Sequence, residues 1–148
     1  MEESRIYAVV AGTIQVPVNP GSHRPPLRTV IQPAGRQIAQ ACHVVSKLRW
    51  QMLELNKDLS KIPTRELISI GYSLTEFIPL TTIILQARDS AETAHVYTLL
   101  DRKKLKPVIF SDNNPEYGPG DWPTAVAVFA TPKQVKYILN YLPLWGSK

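Results

Sequence analysis

The chain has 148 residues, 44% of them hydrophobic, and a formal net charge of +5. That length suits one domain around one core, and the excess of basic residues admits a polyanionic partner without requiring one. A single cysteine excludes an internal disulfide and, with three scattered histidines, gives no zinc-ligand spacing.

No apolar run reaches the ~18 residues of a membrane span. The start Met1-Glu2-Glu3-Ser4-Arg5 lacks the apolar stretch of a signal peptide, so a soluble, cytoplasmic protein is expected.

Arg5 to Ala11, with Ile6, Tyr7, Ala8, Val9 and Val10 in succession, reads as a central strand buried on both faces. Gly12 to Ala34 carries five prolines and the turn-like Asn19-Pro20-Gly21-Ser22. It is an inserted Pro-rich loop at about 12–34, either plain or carrying a short hairpin through Ile14-Gln15-Val16 and Thr29-Val30-Ile31. Loops this long in a compact domain usually serve a function or move, and this one leads into the next helix.

Gly35 to Leu55 is that helix. At 100° per residue, Ile38, Ala41, Cys42, Val45, Leu48, Met52 and Leu53 share one side, and Arg36, Gln40, His43, Lys47 and Trp50 share the other. The apolar stripe must pack on a core, with Cys42 as one of its small buried members. The polar stripe meets solvent, a ligand or a partner, and a tryptophan within it points to contact with another surface.

Asn56 to Pro63 is a polar connection, and a short helix follows from Thr64 to about Ser73. Thr81 to Ala87 is the second strand. Asp89 and Glu92 form a capping arrangement for a helix to about Lys104, whose end gathers Arg102, Lys103, Lys104 and Lys106 where cations complement the dipole. Pro107 to Ser111 is a third strand, and strand, helix, strand implies a right-handed parallel crossover. Asp112 to Pro123 is turn-rich, Thr124 to Ala130 is a fourth strand, and Thr131-Pro132-Lys133-Gln134 opens a last amphipathic helix stopped near Pro143. The expectation is a single α/β domain over 1–148: three layers, α/β/α, around a small four-stranded mixed sheet in the order βα(α)βαββα.

Ligands of open α/β sheets gather at the carboxyl ends of strands. Asp112 is the one carboxylate directly after a buried strand that is not also a helix cap. It either closes an Asx-turn or faces Arg36, Gln40 and the first-turn N–H groups of the helix across a polar cleft. Cys42 and His43 point ~100° apart and do not form a nucleophile pair. His43 suits either water ordering or acid–base work. Tyr117 and Trp122 either stack on a base or ribose or pack the loop.

Gly35-Arg36-Gln37-Ile38-Ala39-Gln40-Ala41-Cys42-His43 resembles the G-K-x-x-A-Q-x-x-H helix start of type 2 peptidyl-tRNA hydrolases. Asp112 followed by Gly118-Pro119-Gly120 resembles that family's D-A-G-x-T-x-x-x-P-G loop. The resemblance implies hydrolysis of the ester between a peptide and the tRNA 3′ ribose, without cofactor or metal. It implies Arg36, Gln40, His43 and Asp112 as catalytic residues, with Arg24, Arg28, Lys47, Arg49 and Trp50 on the tRNA. Two departures bear on activity: Arg36 replaces a lysine and stays charged, and the loop is one residue shorter, with Pro115 and Glu116 where the family has a threonine. The alternative is a degenerate relative that binds RNA or another ligand without hydrolysis. Family members are often dimers, and Leu144 and Trp145 suit either an interface or docking of the chain's own end.

Overall fold

Side chains of a strand alternate between its two faces, so a continuous apolar strand needs cover on both. The computed structural model, which describes residues 4–18, 26–55, 81–117 and 120–147, builds strand β1 (Arg5–Pro17) from the first such run. Ile6 and Ala8 face helix α1 (Ala34–Leu55), among Val44, Leu48 and Met52. Tyr7 and Val9 face the opposite layer. There they meet Val96 and Leu100 of α2 (Ser90–Arg102), and Val135, Ile138 and Leu139 of α3 (Pro132–Leu139).

Among the described residues four more strands join the sheet: β2 (Leu27–Ile31), β3 (Thr82–Asp89), β4 (Val108–Asp112) and β5 (Trp122–Ala130). β1 pairs in parallel with β3 and antiparallel with β2 and β5, and β4 is antiparallel to β5. The expected four-stranded sheet in the order βα(α)βαββα is therefore wrong. A fifth strand precedes α1, and antiparallel pairing predominates.

The error has a physical origin in the proline count of 12–34. Pro17 and Pro26 stand at the ends of the ladder, where a missing N–H breaks no pairing. Between them and the sheet, Ile14 pairs with Val30 and Gln15 with Thr29. The Thr81–Ala87 and Pro107–Ser111 segments do run parallel with α2 between them in sequence, as expected, but the crossover skips two strands, because β1 and β5 lie between β3 and β4. The short helix expected at 64–73 lies outside the described residues, among which no helix is long and apolar enough to cross a membrane.

Helix caps follow the sequence closely. Asp89 accepts from the Glu92 amide at 2.9 Å, and the Glu92 carboxylate reaches back to the Arg88 amide. Thr131 and Gln134 form a reciprocal capping box with Pro132 in the first turn.

The seat of α1 differs from the expected stripe. Gln40, Ala41, Val44, Leu48 and Met52 are buried, whereas Ile38 and Cys42 are exposed. The apolar arc is wider than the sheet contact, and the helix is rolled toward β4 and β5, which draws Gln40 inward. Ile38, Cys42 and Val45 then overhang Thr82 and Ile84 of β3, lining an open groove of about 320 Å³. The expected burial of Cys42 is thereby corrected.

The chain's end docks on its own body. Pro143 O accepts from the Gln86 amide at 2.8 Å, and the Trp145 amide donates to Ile84 O at 2.9 Å. The Trp145 indole N–H donates to Gln37 Oε1 at 2.9 Å.

Candidate functional site

Alternation along β4 puts Val108, Phe110 and Asp112 on the face covered by α1. Strict alternation along β5 would send Thr124 to the other face, with Val126 and Val128. A bulge intervenes: Phe110 pairs with Ala125, but Ser111 pairs with Pro123, which leaves Thr124 as the extra residue. Bulges re-aim side chains, and this one turns Thr124 under α1.

There it meets Gln40. An ionised carboxylate accepts hydrogen bonds and cannot donate, so the Gln40 amide must turn its Nε2 toward Asp112, which it does at 2.8 Å. The amide oxygen is then left facing Thr124, whose hydroxyl donates to it at 2.7 Å. Gln40 and Thr124 are both buried, so this Thr124–Gln40–Asp112 chain is dry except at its carboxylate end. The other carboxylate oxygen accepts from the Asn114 amide at 3.1 Å. Asp112 thus closes an Asx-turn and also meets Gln40 of α1, whereas Arg36 bonds Glu116 and Tyr117 instead.

The turn after Asp112 brings further groups to the start of α1. Asn114 accepts from the Glu116 amide through its side chain and from the Tyr117 amide through its carbonyl. This folds Pro115–Tyr117 into a single 3₁₀ turn. Tyr117 is fully buried against Ile14 and Val16, so it packs the hairpin from beneath and does not stack on a ligand. Its hydroxyl donates to Gln32 Oε1 at 3.2 Å, and burial raises its pKa above the ordinary phenol value. Gln32 in turn ties the fork between strands by donating to Ala11 O at 2.6 Å.

Arg36 lies over this tyrosine, its guanidinium carbon 5.9 Å from the ring centre. Nη1 donates to Glu116 Oε2 at 3.1 Å and to the Tyr117 hydroxyl oxygen at 3.2 Å. The hydrogen bond to Glu116, then that to Tyr117, holds the guanidinium still further toward its charged form. Arg28 reaches the same turn from β2, donating to Glu116 O at 2.7 Å.

Of the expected catalytic residues, Gln40 and Asp112 touch each other, and Arg36 is one helical turn from Gln40 on the same face. His43, exposed, stacks on Phe110 with ring centres 5.0 Å apart. Among the expected nucleic-acid contacts, Lys47 is exposed and donates to Ile109 O at 2.7 Å, and Trp50 is 68% exposed. Arg49 lines the groove on the other flank of α1, and Arg24 lies outside the described residues. Thr124, Gln32 and Glu116 were not singled out for the site by sequence; a bulge leaves no pattern in a single chain, whereas the Pro115-Glu116 departure was a visible signal.

Among the described residues no cluster of three or more His, Cys, Asp or Glu side chains is arranged to hold a metal ion. In comparisons with known proteins, no family model and no curated protein matches the chain.

Proposed function

We propose that this protein is a cytoplasmic peptidyl-tRNA hydrolase that cleaves the ester between a peptide and the tRNA 3′ ribose. The observation that carries the reading is the 2.8 Å hydrogen bond from Gln40 to Asp112. Gln40 and Asp112 belong to the two stretches that resemble type 2 peptidyl-tRNA hydrolases, and they touch although far apart in sequence.

In this reading Asp112 accepts a proton from water as the oxygen attacks the ester carbonyl, and Gln40 fixes the carboxylate's direction. First-turn N–H groups of α1 stabilise the tetrahedral oxyanion, and Arg36, permanently charged, lies toward the phosphate of the terminal nucleotide. Collapse of that intermediate releases the ribose 3′-oxygen, which takes up a proton, and the free peptide acid. Arg28, Lys47 and Trp50 lie toward the RNA, the cations on phosphates and the indole on a base.

Single-turnover release of peptide from peptidyl-tRNA tests the assignment. Asp112→Asn should lower the rate by about 10²–10⁴, the usual contribution of a positioned base. Full activity in that variant would remove Asp112 from the mechanism.

One observation favours the second reading, an RNA-binding relative without hydrolysis: Arg36 is engaged by Glu116 and stands where the family has a lysine. Arg36→Lys separates the two. A gain in peptide release marks a weakened enzyme, whereas salt-sensitive tRNA binding with no hydrolysis from either form marks a binder.

A further inference from the structure

Two guanidinium groups from different elements end on one residue. Arg28 of β2 reaches the carbonyl oxygen of Glu116, and Arg36 of α1 reaches its carboxylate. The charge of Arg36 is met there by the Glu116 carboxylate at 3.1 Å, while Arg28 ends on the backbone oxygen of the same residue.

The two partners of the ion pair are held very differently. Arg36 has 27% side-chain exposure and rests on the Tyr117 ring and hydroxyl, whereas the Glu116 side chain is 62% exposed. The Glu116 backbone is fixed by Asn114 and Arg28, but its carboxylate has Arg36 as its one hydrogen-bond partner among the described residues. Rotating that carboxylate into water forfeits a solvent-screened pair, which is worth little. Arg36 stays in place, and the carboxylate is exchangeable. A phosphate matches a guanidinium better, because it offers paired oxygens to the planar fork.

We infer that Arg28 and Arg36 form a phosphodiester subsite for the single-stranded 3′ end of RNA, occupied in the free protein by the Glu116 carboxylate. The choice of RNA rests on the peptidyl-tRNA reading: the ester sits on the terminal ribose, and the nearest anion to it is the phosphate on that same nucleotide. Gln40 lies one helical turn beyond Arg36, which puts the subsite and Asp112 on one short stretch of substrate. Glu116 then acts as a built-in competitor, and RNA affinity is set by how readily it yields.

The experiment is fluorescence anisotropy with a short single-stranded RNA ending in CCA, which carries no ester, at several salt concentrations. Glu116→Gln should tighten binding about two- to fivefold, the worth of an exposed ion pair. Asp101→Asn on α2, with the same change in net charge, should leave binding unchanged. In an Arg36→Gln background the gain from Glu116→Gln should vanish.

Unchanged or weaker binding by Glu116→Gln, with a wild-type melting curve, overturns the inference. So does a gain that survives Arg36→Gln or is matched by Asp101→Asn. A wild-type protein that releases no peptide yet shows the Glu116→Gln gain sinks the hydrolase reading and leaves the subsite standing. An active hydrolase without the gain does the reverse.

Discussion

Thr124→Val keeps the shape of the side chain and deletes its hydroxyl. Gln40 is 3% exposed, and its amide oxygen receives its hydrogen bond from Thr124. A buried acceptor stripped of its donor costs about 1–3 kcal/mol. At about 2–4 °C per kcal/mol for a chain of this size, the melting temperature should fall by about 2–12 °C. Gln40→Met removes the acceptor, and in that background Thr124→Val should cost far less, because no orphaned polar atom remains. Urea unfolding of wild type, both single variants and the double variant gives the coupling energy, expected at about 1–3 kcal/mol. If hydrolysis is present, Thr124→Val should also slow it about tenfold, since about 1.4 kcal/mol of carboxylate positioning is lost. Additivity within about 0.5 kcal/mol would refute the Thr124–Gln40–Asp112 chain as a unit.

Three further outcomes are expected. His43→Ala removes an exposed ring that stacks on Phe110, so stability should fall by less than about 1.5 kcal/mol and peptide release by less than threefold; a larger kinetic loss would return the imidazole to the catalytic set. Leu48→Ala opens a hole where α1 meets the sheet and should cost about 2–5 kcal/mol in urea unfolding, a smaller loss meaning that the helix is not seated there. Burial raises the pKa of Tyr117 in the folded protein, so its share of stability is complete below the unfolded value near 10. That share is lost as pH rises through the folded value, because the unfolded chain gives up the proton first. Urea midpoints between pH 8 and 11 should fall more steeply for wild type than for Tyr117→Phe, and equal slopes would contradict this.

Continuous apolar runs and caps are legible in the sequence: Ile6 to Ala11, Asp89 with Glu92, and Thr131 with Gln134 each act through neighbours along the chain. The hairpin was half-legible, since its prolines resemble a loop until pairing shows that they stand at the strand ends. The roll of α1 was hidden, because seven apolar candidates span a wider arc than one sheet face covers, and periodicity does not say which edge is left out. Cys42 fell at that edge. Asp112 and Gln40 were legible as candidates from motif and position, but their partner Thr124 was not, because a one-residue bulge reverses the facing that alternation assigns. Glu116 drew notice as a departure from a pattern, and its ion pair with Arg36 needed the fold to bring residues 36 and 116 together.

The segment from Pro143 to Trp145 lies along β3, with Leu144 bridged to Leu85. A strand margin with free amides and carbonyls is a template for another molecule's backbone, and this short seam shuts it from within. A purification tag appended beyond it leaves the margin closed. Trimming the chain before Pro143 would open it at Ile84 and Gln86, and the trimmed protein should elute at a size that grows with its concentration.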